Sequence, residues 1–292
     1  MKADKASKTA QLMALNRALE TKHPADKRLF SDPYAIHFLE GSYRFAAMVS
    51  VLPFARKLVH NIGHKRIPGA FSSGIARTKY IDDLLQHTIE QGVQQVMILG
   101  AGFDTRGLRL QALQSIPVIE IDHPNTSRRK TSILKKQLKQ LPANIVYCEI
   151  DFNKQSLDQL AATYNFNFSI PTTIIWEGVT NYLTAEAINK TFAFISRFAK
   201  GSYAIFTYVH LDVLKNPASF YGAEKLLQDL ASIEESWTFG FDPAELADYL
   251  KDFHLTLLSD SGANEYRNMY MPERTEKGYE FYRVAVARVS TK

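Results

Sequence analysis

The stretch Val96-Met97-Ile98-Leu99-Gly100-Ala101-Gly102-Phe103-Asp104-Thr105-Arg106 decides the fold. Four apolar residues in a row suit a parallel strand covered on both faces, and the run stops at two glycines and a polar turn. Glycines at the carboxyl end of such a strand let backbone approach a ligand closely, and ligands of open α/β sheets bind at that edge. Two cofactor classes use a loop of this kind. A dinucleotide fingerprint needs a third glycine three residues after the second, where this chain has Thr105. Asp104 also places a carboxylate in a turn that would have to accept a pyrophosphate. S-adenosylmethionine carries no phosphate and has a cationic sulfonium, so the acidic loop suits it better than NAD. A plain strand-to-helix turn without a ligand is the bland alternative.

Composition bounds the rest. At 292 residues, 46% of them hydrophobic, the chain can bury a large α/β core. A formal net charge of +5 is mild for this length and does not mark a nucleic-acid binder. The single cysteine, Cys148, lies in an apolar run, so it forms no internal disulfide and reads as core, as fits a cytoplasmic protein. Neither a signal segment nor a membrane span is expected. The apolar segment from Phe45 to Ala55, interrupted by Pro53, is expected to be a cap or lid helix packing on the core, with a membrane-surface helix as the alternative.

Upstream, Ser7 to Glu20 has the periodicity of a packed helix, and Ser31 or Asp32 with Pro33 predicts the start of a second cap helix. His60 and His64 stand four apart, but Gly63 weakens a helix between them and no third ligand is near, so no metal site is expected. Arg77 opens the helix before the first strand, either as a surface residue or as a guanidinium gripping a carboxylate. Downstream, Pro117 to Asp122 is a second strand whose terminal acid can accept from ribose hydroxyls, or cap the next helix. That helix carries Arg128, Arg129, Lys130, Lys135, Lys136 and Lys139, which read as a solvated basic face. Asn144 to Ile150 leads to Asp151-Phe152, an acid and a ring suited to an adenine amino group and base. Thr172 to Trp176 delivers Glu177-Gly178-Val179-Thr180-Asn181-Tyr182-Leu183 to the same edge, where Glu177 can hold an ammonium or offset a sulfonium. Residues 211–240 are aromatic-rich and a candidate wall of an acceptor pocket. Asp242-Pro243-Ala244-Glu245 predicts a capping box and a helix to about Phe253. His254–Leu258 and Tyr279–Val289 complete the sheet, the last strand with an alternation that suits an antiparallel partner.

In order and number these residues resemble the leucine carboxyl methyltransferase-like family of S-adenosylmethionine-dependent methyltransferases, especially its bacterial branch linked to polyketide O-methylation. The resemblance spans nearly the whole chain. It is carried by Ser7-Lys8-Thr9-Ala10, Arg17-Ala18-Leu19-Glu20, Phe30-Ser31-Asp32-Pro33-Tyr34-Ala35, Arg77-Thr78, the central loop, Asp122, Asp151-Phe152 and the run from Glu177 to Leu183. It implies a class I, Rossmann-like methyltransferase fold: a seven-stranded, mostly parallel sheet with one antiparallel strand. A helical cap at residues 1–75 would precede the α/β domain at 76–292, with a cap insertion at about 211–240. It further implies that Arg77 binds the carboxylate of S-adenosyl-L-methionine, that Gly100, Ala101 and Gly102 pass beside its methionine part, that Asp122 takes the ribose, Asp151 and Phe152 the adenine, and Glu177 the amino group. Relatives often have leucine where this chain has Phe152.

The expected chemistry is displacement of the sulfonium methyl by an acceptor oxygen, driven mainly by alignment and exclusion of water. The acceptor is a small molecule, polyketide-like or a carboxylic acid. A carboxylate needs only orientation, for which Tyr182 and Arg267 are the candidates; a hydroxyl needs a base, for which His210 is the candidate. An NAD-dependent oxidoreductase and a non-catalytic module that keeps the fold are the competing readings.

Overall fold

The computed structural model describes residues 8–151 and 155–290. Seven strands form one sheet: β1 Gln95–Leu99, β2 Val118–Asp122, β3 Ile145–Glu149, β4 Thr172–Trp176, β5 Tyr203–Val209, β6 Leu255–Gly262 and β7 Tyr282–Val289. Their order is β3-β2-β1-β4-β5-β7-β6. β7 runs antiparallel to both of its neighbours, and the other pairings are parallel. The alternation of side chains in the central strands explains the two cores. Met97 and Leu99 of β1 join Ile174, Phe192 and Phe206 on one face, whereas Val96 and Ile98 join Ile81, Leu85 and Ile205 on the other. Strand order reverses between β1 and β4, the position at which open sheets of this type leave a crevice.

Four helices precede the sheet: α1 Lys8–Thr21, α2 Gly41–Val49, α3 Pro53–Arg66 and α4 Ala70–Glu90. α4 begins seven residues before Arg77, so Arg77 lies two turns inside the helix rather than at its start, and α4 crosses the expected division at 75/76. Gly69, with φ +73°, ends the preceding segment and starts α4. After Asp32 the chain forms only one helical turn, Ala35–Phe38, before α2.

The segment from Phe45 to Ala55 differs most from expectation. α2 and α3 turn their small residues Ala47, Ser50 and Ala55 inward. Phe45, Met48, Val51, Leu52, Phe54, Leu58 and Ile62 remain exposed. The segment is a cap hairpin, but its large apolar side chains do not pack on the core. Lys130, expected on the solvated basic face, is buried and bonded to Glu120 of β2 at 2.5 Å. The box predicted at Asp242 is a turn instead: Oδ1 of Asp242 accepts from Ala244 and its carbonyl from Glu245, so the helix starts only at Leu246 and ends at Lys251. β6 runs four residues beyond Leu258 and feeds a helix, Ala263–Tyr270, that carries Arg267.

Candidate active site

The loop after β1 is folded against the end of β2. The N–H groups of Gly100 and Ala101 both donate to the Ile121 carbonyl, at 2.8 and 3.1 Å. Gly100 has φ +66°, and a Cβ there would lie 2.4 Å from Cγ2 of Val179 in the loop after β4, so only glycine fits. The Gly102 N–H donates to Oδ2 of Asp122, and the His123 N–H donates to Oδ1 at 2.6 Å. Two backbone donors thereby fix the Asp122 carboxylate at the crevice, while each oxygen retains a second lone-pair direction. Burial outweighs these bonds and raises the Asp122 pKa above its ordinary value.

Glu177, directly after β4, lies between two guanidinium groups. Its Oε1 accepts from Nε of Arg77 and its Oε2 from Nη1 of Arg106, both at 2.9 Å. The Arg77 guanidinium also stands 4.5 Å over the ring of Tyr282. Arg106 bonds Asp104 and, through Nε, Asp82 at 2.8 Å; Asp82 in turn takes both Nη groups of Arg109, at 2.6 and 2.8 Å. Burial alone would raise the Glu177 pKa, but Arg106 and Arg77 reverse this and hold it below the usual value. Asp104, likewise buried, is drawn down to about 2, chiefly by Arg106. The site is therefore a buried, mutually paired cluster of three arginines and three carboxylates. Local spacing carries no sign of the bonds from Arg106 to Asp82 and Glu177, because those partners lie 24 and 71 residues away.

The cap is fastened to the same loop. Arg17 of α1 donates through Nε to Oδ2 of Asp32 at 2.8 Å and through Nη2 to the Phe103 carbonyl at 2.5 Å. The Thr105 hydroxyl donates to Oδ2 of Asp32 at 2.6 Å, and Oδ1 accepts from the N–H groups of Tyr34 and Ala35. Of the two capping candidates, Ser31 and Asp32, Asp32 closes the turn at Tyr34 and Ala35 and also ties α1 to the central loop.

Of the remaining predicted residues, Asp151 follows β3 on the same edge, and Phe152 lies outside the described residues. Tyr182 is brought close to Thr9, Trp237 and Tyr282, and burial raises its pKa. Trp237 and Tyr279 each pack against Tyr282, with ring centres 6.2 and 5.4 Å apart, so an aromatic group from the 211–240 insertion and β7 adjoins Arg77. Arg267 is not on the surface. It is buried; its Nε donates to the Ala263 carbonyl, its Nη2 to Asn264 and Glu280, and its Nη1 has no hydrogen-bond partner. His210 packs against Phe220, and its Nδ1 accepts the Asp212 N–H at 3.1 Å. That bond engages the Nδ1 lone pair in capping the short helix that follows. His60 and His64 both face Glu276, at 3.8 and 3.7 Å. Among the described residues no group of three histidine, cysteine, aspartate or glutamate side chains is arranged to hold a metal.

The sequence profile of the leucine carboxyl methyltransferase family matches residues 10–196. The chain belongs to the leucine carboxyl methyltransferase family. Relatives include a provisionally named S-adenosyl-L-methionine-dependent methyltransferase of Streptomyces coelicolor, 32% identical over 66% of each chain. A second, similarly named, comes from Streptomyces avermitilis and is 31% identical over 64% of this chain and 63% of its own. The chain thus spans just under two thirds of the length of these relatives. Among solved structures, a provisionally described methyltransferase from Thermobifida fusca superposes with a TM-score of 0.59 at 19% identity, covering 81% of this chain and 89% of its own. A DUF574 family protein from Streptomyces avermitilis gives 0.60 at 15%, covering 92% and 99%. These two likenesses establish the fold. Membership of a methyltransferase family sets aside the oxidoreductase reading, and the two Streptomyces relatives are named for dependence on S-adenosyl-L-methionine.

Proposed function

We propose that this leucine carboxyl methyltransferase family member methylates an oxygen of a small-molecule acceptor, and that the acceptor is a carboxylate. The observation that supports this is the group of tyrosines at the site: Tyr282 lies under Arg77, Tyr279 stacks on Tyr282, and Tyr182 adjoins Tyr282. Burial is the first cause raising the pKa of Tyr182, Tyr279 and Tyr282. Near neutral pH all three remain hydrogen-bond donors, able to orient an oxygen that arrives ionised and unable to deprotonate an alcohol. The flat rings of Trp237, Tyr279 and Tyr282 suit an aromatic, polyketide-like acid.

The donor set fits the cofactor. Arg77 and Glu177 offer a cation and an anion side by side, matched to the carboxylate and ammonium of an amino-acid group. Gly100 to Gly102 leave backbone beside it, Asp122 takes ribose hydroxyls, and Asp151 with Phe152 takes adenine. When bound, S-adenosylmethionine supplies an electrophilic methyl on its sulfonium. The chain's own tasks are to hold both molecules in line and to exclude water. In this reading Tyr182 donates to the acceptor carboxylate and Arg267 offers its unpartnered Nη1.

A second reading rests on Glu235, which lies near Tyr182 and accepts from Thr9. A hydroxyl acceptor would find a base there. Methyl-labelled donor incubated with panels of carboxylic acids and phenols separates the two. Mild alkali releases labelled methanol from a methyl ester, the expected result. Label in an alkali-stable ether, lost in Glu235→Gln, would transfer the assignment to the second reading.

A further inference from the structure

The outer face of the α2–α3 hairpin is used neither by the site nor by the core. Twelve large hydrophobic residues are exposed in the described chain, and seven of them lie between Phe45 and Ile62. Phe54 is 72% exposed and Phe45 67%. On α3, Phe54, Leu58 and Ile62 recur every four residues and form one stripe. Lys57 and Lys65 flank this stripe on the exposed side, and Arg44 and Arg66 are exposed at its two ends. The opposite side of α3 is committed to the protein: His60 packs edge-on against Phe71, and both His60 and His64 face Glu276. Charge on the hairpin has one sign. No aspartate or glutamate occurs from Gly41 to Ile81, while five lysines and arginines lie between Arg44 and Arg66. Asp229 lies 3.8 Å from Arg66 at the far end of α3, and Glu20 faces Arg56 on the inner side.

We infer that the α2–α3 hairpin docks the protein reversibly on an anionic lipid bilayer, with Phe54, Leu58 and Ile62 entering the headgroup boundary and the lysines and arginines facing lipid phosphates. Charge complementarity selects this occupant. A two-fold contact between copies would bring two all-basic fringes together, whereas an anionic surface attracts each cation. An amphipathic helix with aromatic and leucine residues on one face and lysine beside them matches interfacial binding, and its α3 length of 14 residues lets it lie in the plane of the surface. This inference is independent of the acceptor proposed above.

The test is flotation of the full chain with vesicles of phosphatidylcholine alone and of equimolar phosphatidylcholine and phosphatidylglycerol, alongside sedimentation analysis of its oligomeric state. The variants are Phe54→Ser/Leu58→Ser and Lys57→Glu/Lys65→Glu. Their exposed positions leave the fold intact, as a melting curve and S-adenosylhomocysteine binding will verify. The expected result is flotation with anionic vesicles only, weakened by salt and reduced by roughly tenfold or more in each double variant. Failure to float with anionic vesicles overturns the inference, as does flotation that survives Phe54→Ser/Leu58→Ser. Self-association abolished by that variant, without flotation of the parent protein, also overturns it and assigns the face to a second copy.

Discussion

Replacing Glu177 by glutamine keeps the shape of the residue and removes the one anion shared by Arg77 and Arg106. The amide has a single acceptor oxygen, so it can serve one guanidinium and must turn its NH2 toward the other. Arg106 retains Asp82 and Asp104, whereas the other contacts of Arg77 are the Met13 sulfur and the Tyr282 ring. The balanced cluster acquires a net positive charge in a nearly dry place. Breaking a buried pair by removing one partner costs about 3–5 kcal/mol; with one bond conserved, roughly 3 kcal/mol is expected. For a domain of this size that lowers the melting temperature by about 6 °C. If Glu177 also holds the cofactor's ammonium, a charge-assisted bond of about 1.5–3 kcal/mol disappears, and S-adenosylmethionine should bind roughly 10- to 150-fold more weakly. Methylthioadenosine, which lacks the amino-acid part, provides the control: calorimetric titration should give it the same affinity for both proteins. A fall in melting temperature with unchanged S-adenosylmethionine affinity would refute the assignment and make Glu177 a purely structural anion. Equal weakening of both ligands would mean that the whole crevice had shifted.

Three further outcomes follow from the geometry. Asp122→Asn leaves the N–H of Gly102 or of His123 facing an amide NH2, so both nucleoside ligands should weaken, by about tenfold or more in titration, whereas Glu177→Gln spares methylthioadenosine. Gly100→Ala combines a positive φ with a Cβ 2.4 Å from Val179, and should lose about 2–4 kcal/mol in denaturant unfolding along with cofactor binding. Asp32, Asp104 and Glu177 have pKa values lowered on folding, so their stabilising contribution is complete above the ordinary carboxylate range and is lost as pH falls through the folded values. Melting temperature should drop steeply from about pH 4 toward pH 2, and less steeply in Glu177→Gln.

The parts of the fold legible in the sequence were those set by local pattern. A four-residue apolar run ending in glycines can be little else than a buried parallel strand, and acids placed just after such runs must gather at one edge of the sheet. Local pattern places Asp122 and Glu177 at that edge in this way. Arg106 stood in the same quoted stretch but received no role, because nothing in local spacing tells an arginine which distant carboxylate it will meet. The hairpin was misjudged for a related reason. Hydrophobicity at Phe45, Leu52 and Phe54 looks like a demand for burial, but a helix has two sides, and the smaller residues Ala47 and Ala55 supply the packing face. The box at Asp242 failed because aspartate before proline can close an Asx turn as readily as it caps a helix.

The two faces of the cap explain how it can serve both site and surface. On its inner side, Arg17 and Thr105 are buried and both bonded to Asp32, and Arg17 also holds the Phe103 carbonyl, so separating this part of the cap from the loop after β1 would leave Arg17 and Asp32 each short of a buried partner. That cost makes α1 and the turn at Asp32 a fixed part of the crevice rather than a door to it. α2 is held more lightly: Glu40 at its start pairs with Arg129 at an exposed position, and its inward residues include Ala47 and Ser50. Its outer face can therefore follow a surface while the loop that holds the cofactor stays in register. A variant such as Asp32→Ala should accordingly weaken cofactor binding and leave vesicle flotation in place, and Phe54→Ser/Leu58→Ser should do the reverse. If both variants lost both properties, the cap would be a single cooperative unit and the division of labour between its faces would be wrong.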